Sequence, residues 1–254
     1  MPNAKSRIKR AVSILLGSIA RFRVSLFGTR RVVVLAYHSI NNDPWIHAVT
    51  PETFEQHLVW LAKNATVISL EELDRRIEKR EFPKTKRPTI AITFDDGYAD
   101  WVEYAAPLLK QHKMPATFFV TTSFAPVTNE PHPGLSIITL AQVRTLSVEG
   151  FEIGSHGHTH HDFSTLDEQG VREECETSMR ILADLTGKPV RFLTYPKGRF
   201  NPNHAQMLER LGIKLAFGGH GSVDSRTDRF AAPRIPVIKP MDRVLFASFI
   251  YCAL

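Results

Sequence analysis

Cysteine is scarce in this chain: two residues in 254, Cys175 and Cys252, far apart in sequence. That excludes a disulfide framework and any thiolate metal site. Repeats, low-complexity tracts and internal linkers are also missing, so the length is read as one large α/β domain. Long hydrophobic runs are absent near the N-terminus, where the uncharged stretch from Ala11 to Ala20 is too short to span a bilayer. Acid is absent from residues 1–31, which carry eight lysines and arginines, so the rest of the chain contributes −2 to the net charge of +6. The basic character therefore belongs to the tail, and a nucleic-acid-binding body is excluded.

Basic residues are missing from one further place. None lies between Thr89 and Glu103, where Asp95 and Asp96 stand side by side. Residues 88–94 form an apolar, β-branched and aromatic run that reads as a strand buried on both faces, so the two acids sit at its rim and Gly97 allows a sharp turn. Adjacent carboxylates repel, and both stay ionised only beside a cation or strong donors. The bland reading is a turn with a helix cap. A second cluster argues otherwise: Ser155-His156-Gly157-His158-Thr159-His160-His161-Asp162 holds four imidazoles within six positions. His156 and His160, four apart with small residues between them, can converge on one ion, and with a carboxylate from another strand end they suggest a two-His-one-carboxylate site with open positions.

Thr93-Phe94-Asp95-Asp96-Gly97 and Ser155-His156-Gly157-His158-Thr159-His160 resemble the first two motifs of the polysaccharide deacetylase family, also called carbohydrate esterase family 4 or the NodB homology domain. Arg191-Phe192-Leu193-Thr194-Tyr195-Pro196-Lys197-Gly198 is similar to the third, and the likeness runs from about Val32 to Val237. A strand ending in Tyr37-His38 comes first, as in the subset acting on poly-N-acetylglucosamine, where the histidine serves as catalytic acid; no Leu-x-His follows near the C-terminus to take that role.

The resemblance implies removal of an acetyl group from an N-acetylated amino sugar, in a bacterial-type polysaccharide or its lipid-linked precursor. In that scheme Asp96, His156 and His160 hold a divalent ion that polarises the amide carbonyl and activates a water, with Asp95 as base and His38 as acid. Zn²⁺ is expected, with Co²⁺ or Ni²⁺ as alternatives, because imidazole plus carboxylate suits a borderline metal better than Mg²⁺. Tyr195, through its main-chain N–H, and Pro196 are assigned to the substrate and oxyanion side. Arg234 is the candidate for orienting Asp95, against a purely structural ion pair. Lys197 stands where many relatives have an aromatic residue, either to pair with an acidic substrate or simply solvated. His158 and His161 are surplus imidazoles, either of which can replace His160 as ligand, though the four-residue spacing favours His160. A second enzyme reading changes the amide, as in relatives that deformylate lipid-linked amino sugars or open cyclic ureides. A non-catalytic carbohydrate-binding or assembly protein would require loss of Asp95 or a ligand, and none is lost.

Strand and helix signals alternate. Helices are expected over 52–63, 70–80, 100–112, 139–149, 167–185, 203–211 and 244–254, with strands over 31–38, 65–69, 116–121, 192–195, 214–217 and 230–235 besides those carrying the acids and histidines. This pattern predicts a parallel sheet closed into a barrel; the resemblance narrows it to a distorted (β/α)7 barrel with its site at the C-terminal strand ends. Residues 31–254 form the catalytic domain and 1–30 a basic amphipathic tail, in which Ile8, Val12, Leu15, Ile19, Phe22 and Leu26 make an apolar stripe. The tail has three readings. One is a helix on an anionic membrane, placing the protein in the cytoplasm or peripherally at the inner membrane. Another is a secretion signal over residues 1–20 ending in Ser18-Ile19-Ala20, which makes the protein secreted or periplasmic, although Arg21 and Arg23 directly follow the cut. The last is a helix packed on its own domain. The first is the expectation.

Overall fold

The computed structural model describes residues 4–123 and 134–254, with side chains from Arg7 onward. Strands β1 (Val32–Tyr37), β2 (Thr66–Val67), β3 (Thr89–Phe94), β4 (Thr117–Val120), β5 (Glu152–Ser155), β6 (Phe192–Thr194), β7 (Leu215–His220) and β8 (Ala232–Pro236) alternate with helices, among them α3 (Leu70–Lys79), α5 (Leu140–Val148) and α7 (Ala205–Arg210), except that β8 follows β7 directly. All pair in parallel, in the order β1-β8-β7-β6-β5-β4-β3-β2, and β1 also pairs with β3. Closure of β1 on β3 makes a seven-stranded barrel with β2 outside the ring, the distorted (β/α)7 architecture. Every residue of β1 and β3 is buried, which is why both read as unbroken apolar and β-branched runs.

Tertiary pairing trims several elements. β2 is two residues long rather than five because β4 takes the same edge of β3 from Thr93 onward, leaving β2 only the register Thr66↔Thr89 and Val67↔Ile90. The expected helix over 100–112 is a π-helical turn, Trp101–Ala105, followed by α4 (Ala106–Gln111). Pro107 has no N–H to donate to the preceding turn, so the regular ladder cannot run through it. The helix expected over 203–211 divides into a 3₁₀ turn, Pro202–His204, and Ala205–Arg210.

The register carries the site. Tyr37 lies opposite Phe94, and the N–H of Asp95 donates to the Tyr37 carbonyl at 2.9 Å, so His38 and Asp95 leave neighbouring strand ends. β8 pairs Leu35 with Ile235, which brings Arg234 to the same end. His156 follows β5 and Tyr195 follows β6.

Helix α1 (Ala4–Phe27) packs along the C-terminal helix α8 (Arg243–Ala253). The seam uses Gly17 and Val24, both buried, together with the half-buried Ile14 and Ala20. The helices meet so closely at Gly17 that a Cβ there would lie 2.5 Å from Ser248 Cα. Ile8, Val12, Leu15, Ile19, Phe22 and Leu26 stay between 48% and 65% exposed. The face that packs is thus not the apolar stripe.

His57, from α2 (Pro51–Asn64), ties three elements together. Its ring stacks on Phe246 of α8 at 3.9 Å, its Nδ1 meets the Tyr37 hydroxyl at 3.1 Å, and its Nε2–H donates to the Met241 carbonyl at 2.7 Å. Burial, partly offset by the Met241 carbonyl, lowers its pKa from 6.5 to about 4. The native imidazole stays neutral while the unfolded one takes up a proton below about 6.5, so stability is present above that pH and is lost as pH falls toward about 4. Chemical denaturation should show about 2 kcal/mol more loss between about pH 7.5 and about pH 5 in the parent than in His57→Asn. Equal slopes in the two proteins would contradict this account.

Candidate active site

The C-terminal strand ends surround a cleft of about 660 Å³ lined by His38, Asp95, Asp96, His156, His160, Tyr195 and Arg234 among others. The two adjacent acids diverge because Asp96 takes a left-handed backbone, φ 81°, ahead of Gly97 at φ 114°. Asp95 is buried and meets Arg234 in a bidentate pair, Nη1 to Oδ1 at 2.8 Å and Nη2 to Oδ2 at 2.5 Å. Nη1 also donates to Thr93 Oγ1 at 3.0 Å, and the guanidinium lies 5.9 and 5.7 Å from the ring centroids of Phe119 and Phe217. Burial works to raise the pKa of Asp95, but the Arg234 charge and its hydrogen bonds outweigh it and hold the carboxyl below its ordinary value.

Asp96 turns toward β5 instead. Its Oδ1 lies 3.2 Å from His156 Nε2 and 3.4 Å from His160 Nε2, and the two Nε2 atoms are 3.2 Å apart. Burial opposes ionisation of Asp96, but the hydrogen bonds of both imidazoles prevail and its pKa falls well below the carboxylate range. His156 Nδ1 is 2.9 Å from the Thr194 carbonyl, which takes the Nδ1 proton, so once the ring gives up its second proton the Nε2 that donated to Asp96 becomes a lone pair aimed at the carboxylate. Two acceptors so placed need a cation between them. A tetrahedral ion with bonds of about 2.0–2.1 Å separates its donors by about 3.3 Å, the spacing of this triangle. These three residues therefore fit a divalent metal, with positions left open toward the cleft.

The loop carrying the histidines is strained and firmly held. His160 has φ 63° and Gly157 φ 77°. Glu174, from α6 (Glu168–Thr186), accepts the N–H groups of His158 at 2.7 Å and Thr159 at 2.8 Å and also binds the Thr159 hydroxyl. Such support lets a non-glycine residue stay in the left-handed region. The surplus imidazoles point elsewhere, His158 Nδ1 to Thr122 Oγ1 at 2.9 Å and His161 Nδ1 to Thr159 Oγ1 at 2.5 Å.

His38 lines the same cleft. Asp100 anchors its loop by accepting from Ser39 Oγ at 2.6 Å, Ile40 N at 3.0 Å and Asn41 Nδ2 at 3.0 Å, while Trp101 Nε1 donates to the His38 carbonyl at 2.6 Å. The His38 ring lies 4.6 Å from that of His47 and 5.9 Å from that of Trp45. His38 Nδ1 is buried with no hydrogen-bond partner among the described residues. His47 is lowered to about 4 by burial and by the neighbouring His38, so it stands as a neutral wall of the cleft. Sequence reasoning missed Trp45 and His47, along with Gly218, Gly219 and His220, which also line the cleft. The only signal was a Trp-x-His in the loop after a Tyr-His strand.

One expectation is corrected. Tyr195 lines the cleft, but its main-chain N–H donates to the Phe217 carbonyl at 3.1 Å and its hydroxyl to the Phe230 carbonyl at 2.8 Å. Pairing of β6 with β7 commits the donor that had been assigned to the oxyanion. Pro196 has no N–H, is buried, and is not among the residues lining the cleft. Lys197, at φ 61°, is exposed at the rim.

A barrel of this topology with two differently partnered carboxylates and a carboxylate–imidazole triangle at its mouth has the make-up of a hydrolase. The family follows from comparison: the model of the polysaccharide deacetylase family matches residues 83–216. The chain belongs to that family and is a hydrolase acting on non-peptide carbon–nitrogen bonds. It is 27% identical over 203 residues to the poly-beta-1,6-N-acetyl-D-glucosamine N-deacetylase of Staphylococcus aureus, covering 74% of this chain and 67% of that one. It is 30% identical over 158 residues to the peptidoglycan-N-acetylmuramic acid deacetylase PdaA of Bacillus subtilis, covering 60% of this chain and 56% of PdaA. The structure of IcaB from Ammonifex degensii superposes with a TM-score of 0.75 at 23% identity, covering 89% of this chain and 97% of that one, a likeness of fold.

Chelator competition checks the triangle. Asp96→Ala, His156→Ala and His160→Ala should each weaken Zn²⁺ binding by more than the roughly 10–100-fold that loss of an outer partner costs. His158→Ala and His161→Ala should stay within about threefold of the parent, because those rings face away from the triangle.

Proposed function

We propose that this protein removes acetyl groups from N-acetylated amino sugars in a bacterial-type polysaccharide or its lipid-linked precursor, in a metal-dependent hydrolysis. The observation that carries the reading is the split between the adjacent acids, Asp95 on Arg234 and Asp96 on His156 and His160, within one cleft that also holds His38. A divalent ion on Asp96, His156 and His160, with Zn²⁺ favoured by the donor set, would supply Lewis-acid polarisation of the amide carbonyl and lower the pKa of a water.

The chain's own residues have separate tasks. Asp95 accepts the proton of the attacking water. Arg234 fixes both carboxylate oxygens, so it orients the base and keeps it ionised in a buried setting. His38 delivers a proton to the nitrogen of the departing amine, with Trp45 and His47 packed against its ring to hold its direction. The likeness to the Staphylococcus aureus enzyme supports a β-linked N-acetylglucosamine polymer as the first substrate to try. Packing of α1 on α8 supports retention of the helix in the folded protein, and hence a cytoplasmic or membrane-peripheral site over a cleaved leader.

The test is acetate release from N-acetylglucosamine oligomers by metal-stripped protein resupplied with Zn²⁺, Co²⁺ or Ni²⁺. Metal should restore acetate. Asp95→Asn should lose turnover while still binding the ion, and His38→Ala should lose roughly 10²–10⁴-fold in kcat. Near-full activity of Asp95→Asn would remove the proposed base, and formate or ureide products would move the reading to another amide.

A further inference from the structure

We infer that the outer face of α1 is a docking surface for an anionic lipid bilayer, and that it holds the mouth of the cleft beside that bilayer. Two sides of this helix are in demand. Its inner side, with Gly17 and Val24 buried, is used up against α8. On the opposite side Ile8, Leu15, Ile19, Phe22 and Leu26 are each more than half exposed, and among the described residues nothing covers them. A helix already anchored by one face does not need a second apolar face for its own folding, and contiguous apolar exposure of this kind marks an interaction site.

Charge selects the occupant. Residues 1–31 carry eight basic side chains and no acid. Arg10 is held by Asp242 at 2.5 Å, while Arg7, Lys9 and Arg23 are exposed. At 100° per residue, Lys9 and Arg23 fall along one edge of the apolar band and Arg7 beyond the other. A second copy of the chain would set these cations against their own kind, whereas an anionic headgroup layer neutralises them while the apolar side chains enter the boundary region. No helix among the described residues is long and apolar enough to cross a membrane, so the contact lies on the surface.

The packing also gives the surface a direction. Arg10 meets Asp242 at the start of α8 and Gly17 meets Ser248 further along, so the two helices run parallel. Asp242 follows β8 on the cleft side of the barrel, and Gly28 and Thr29 reach Thr85 at the other end. The first turns of α1 therefore lie at the end where the cleft opens. A short path joins them: Lys239, three residues before Asp242, donates its N–H to the Ile46 carbonyl at 2.8 Å, and Ile46 lines the cleft and is 47% exposed. Bilayer contact through α1 would present the cleft to a sugar chain held at the membrane. Presentation of a sugar chain to the cleft rests on the proposed deacetylation; the lipid surface does not.

Co-sedimentation of the full chain with vesicles of phosphatidylcholine, with and without phosphatidylglycerol, tests the surface. The parent should pellet with the anionic vesicles and be released by salt, and Leu15→Glu/Ile19→Glu should lose about tenfold or more of this binding. The same variant should keep the parent's melting temperature and its acetate release from soluble oligomers, because neither residue touches the seam or the cleft. Failure of acetate release in both proteins would count against the proposed reaction and leave the surface standing. Equal binding to neutral vesicles, undiminished binding by the variant, or a concentration-dependent dimer abolished by it in place of vesicle binding would each overturn the inference.

Discussion

Two neighbouring carboxylates in one cleft, Asp95 buried and Asp96 half-buried, are the constraint on which the rest of the structure depends. Each buried charge left without a partner costs several kcal/mol, and side by side the two also repel. The fold gives each its own partner. β8 brings Arg234 across the barrel to Asp95, and the loop after β5 brings two imidazoles to Asp96. Closure of the ring is therefore tied to chemistry, since Arg234 reaches Asp95 only because β1 bridges β8 and β3. The same division separates their uses. A carboxylate held by an arginine stays ionised and directed, and one that faces two imidazole nitrogens is set up as a metal ligand.

Holding side chains in this arrangement strains the backbone where it turns. Among the described residues five non-glycine positions have positive φ, and three of them, Asp96, His160 and Lys197, stand around the cleft. Strain concentrated there persists only because the surroundings over-determine it. Glu174 and Asp100 are the clearest supports: both are carboxylates turned toward main-chain N–H groups, and they anchor the loops carrying His160 and His38.

Much of this was legible in the residues. The β-branched runs of β1 and β3 announced a parallel sheet, and the four-residue spacing of His156 and His160 announced convergence on one point. The contact of Arg234 with Asp95 depended on the resemblance, because nothing local connects residues so far apart in the chain. What escaped depended on tertiary pairing. The N–H of Tyr195 looked available until β7 claimed it, and β2 looked longer until β4 took its edge. Trp45 and His47 sit in a loop with no periodicity to flag them. In α1 the strong apolar stripe hid the weaker pattern of Ile14, Gly17, Ala20 and Val24, small and scattered residues that suit close helix contact.

The division of labour between Asp95 and Asp96 is the central claim, and anomalous diffraction at the zinc edge from crystals grown with Zn²⁺ tests it most directly. The account predicts one peak about 2.0–2.2 Å from Asp96, His156 Nε2 and His160 Nε2, with Asp95 still paired to Arg234 and not bound to the ion. A peak coordinated by Asp95, or one held by His158 or His161 in place of His160, would contradict it.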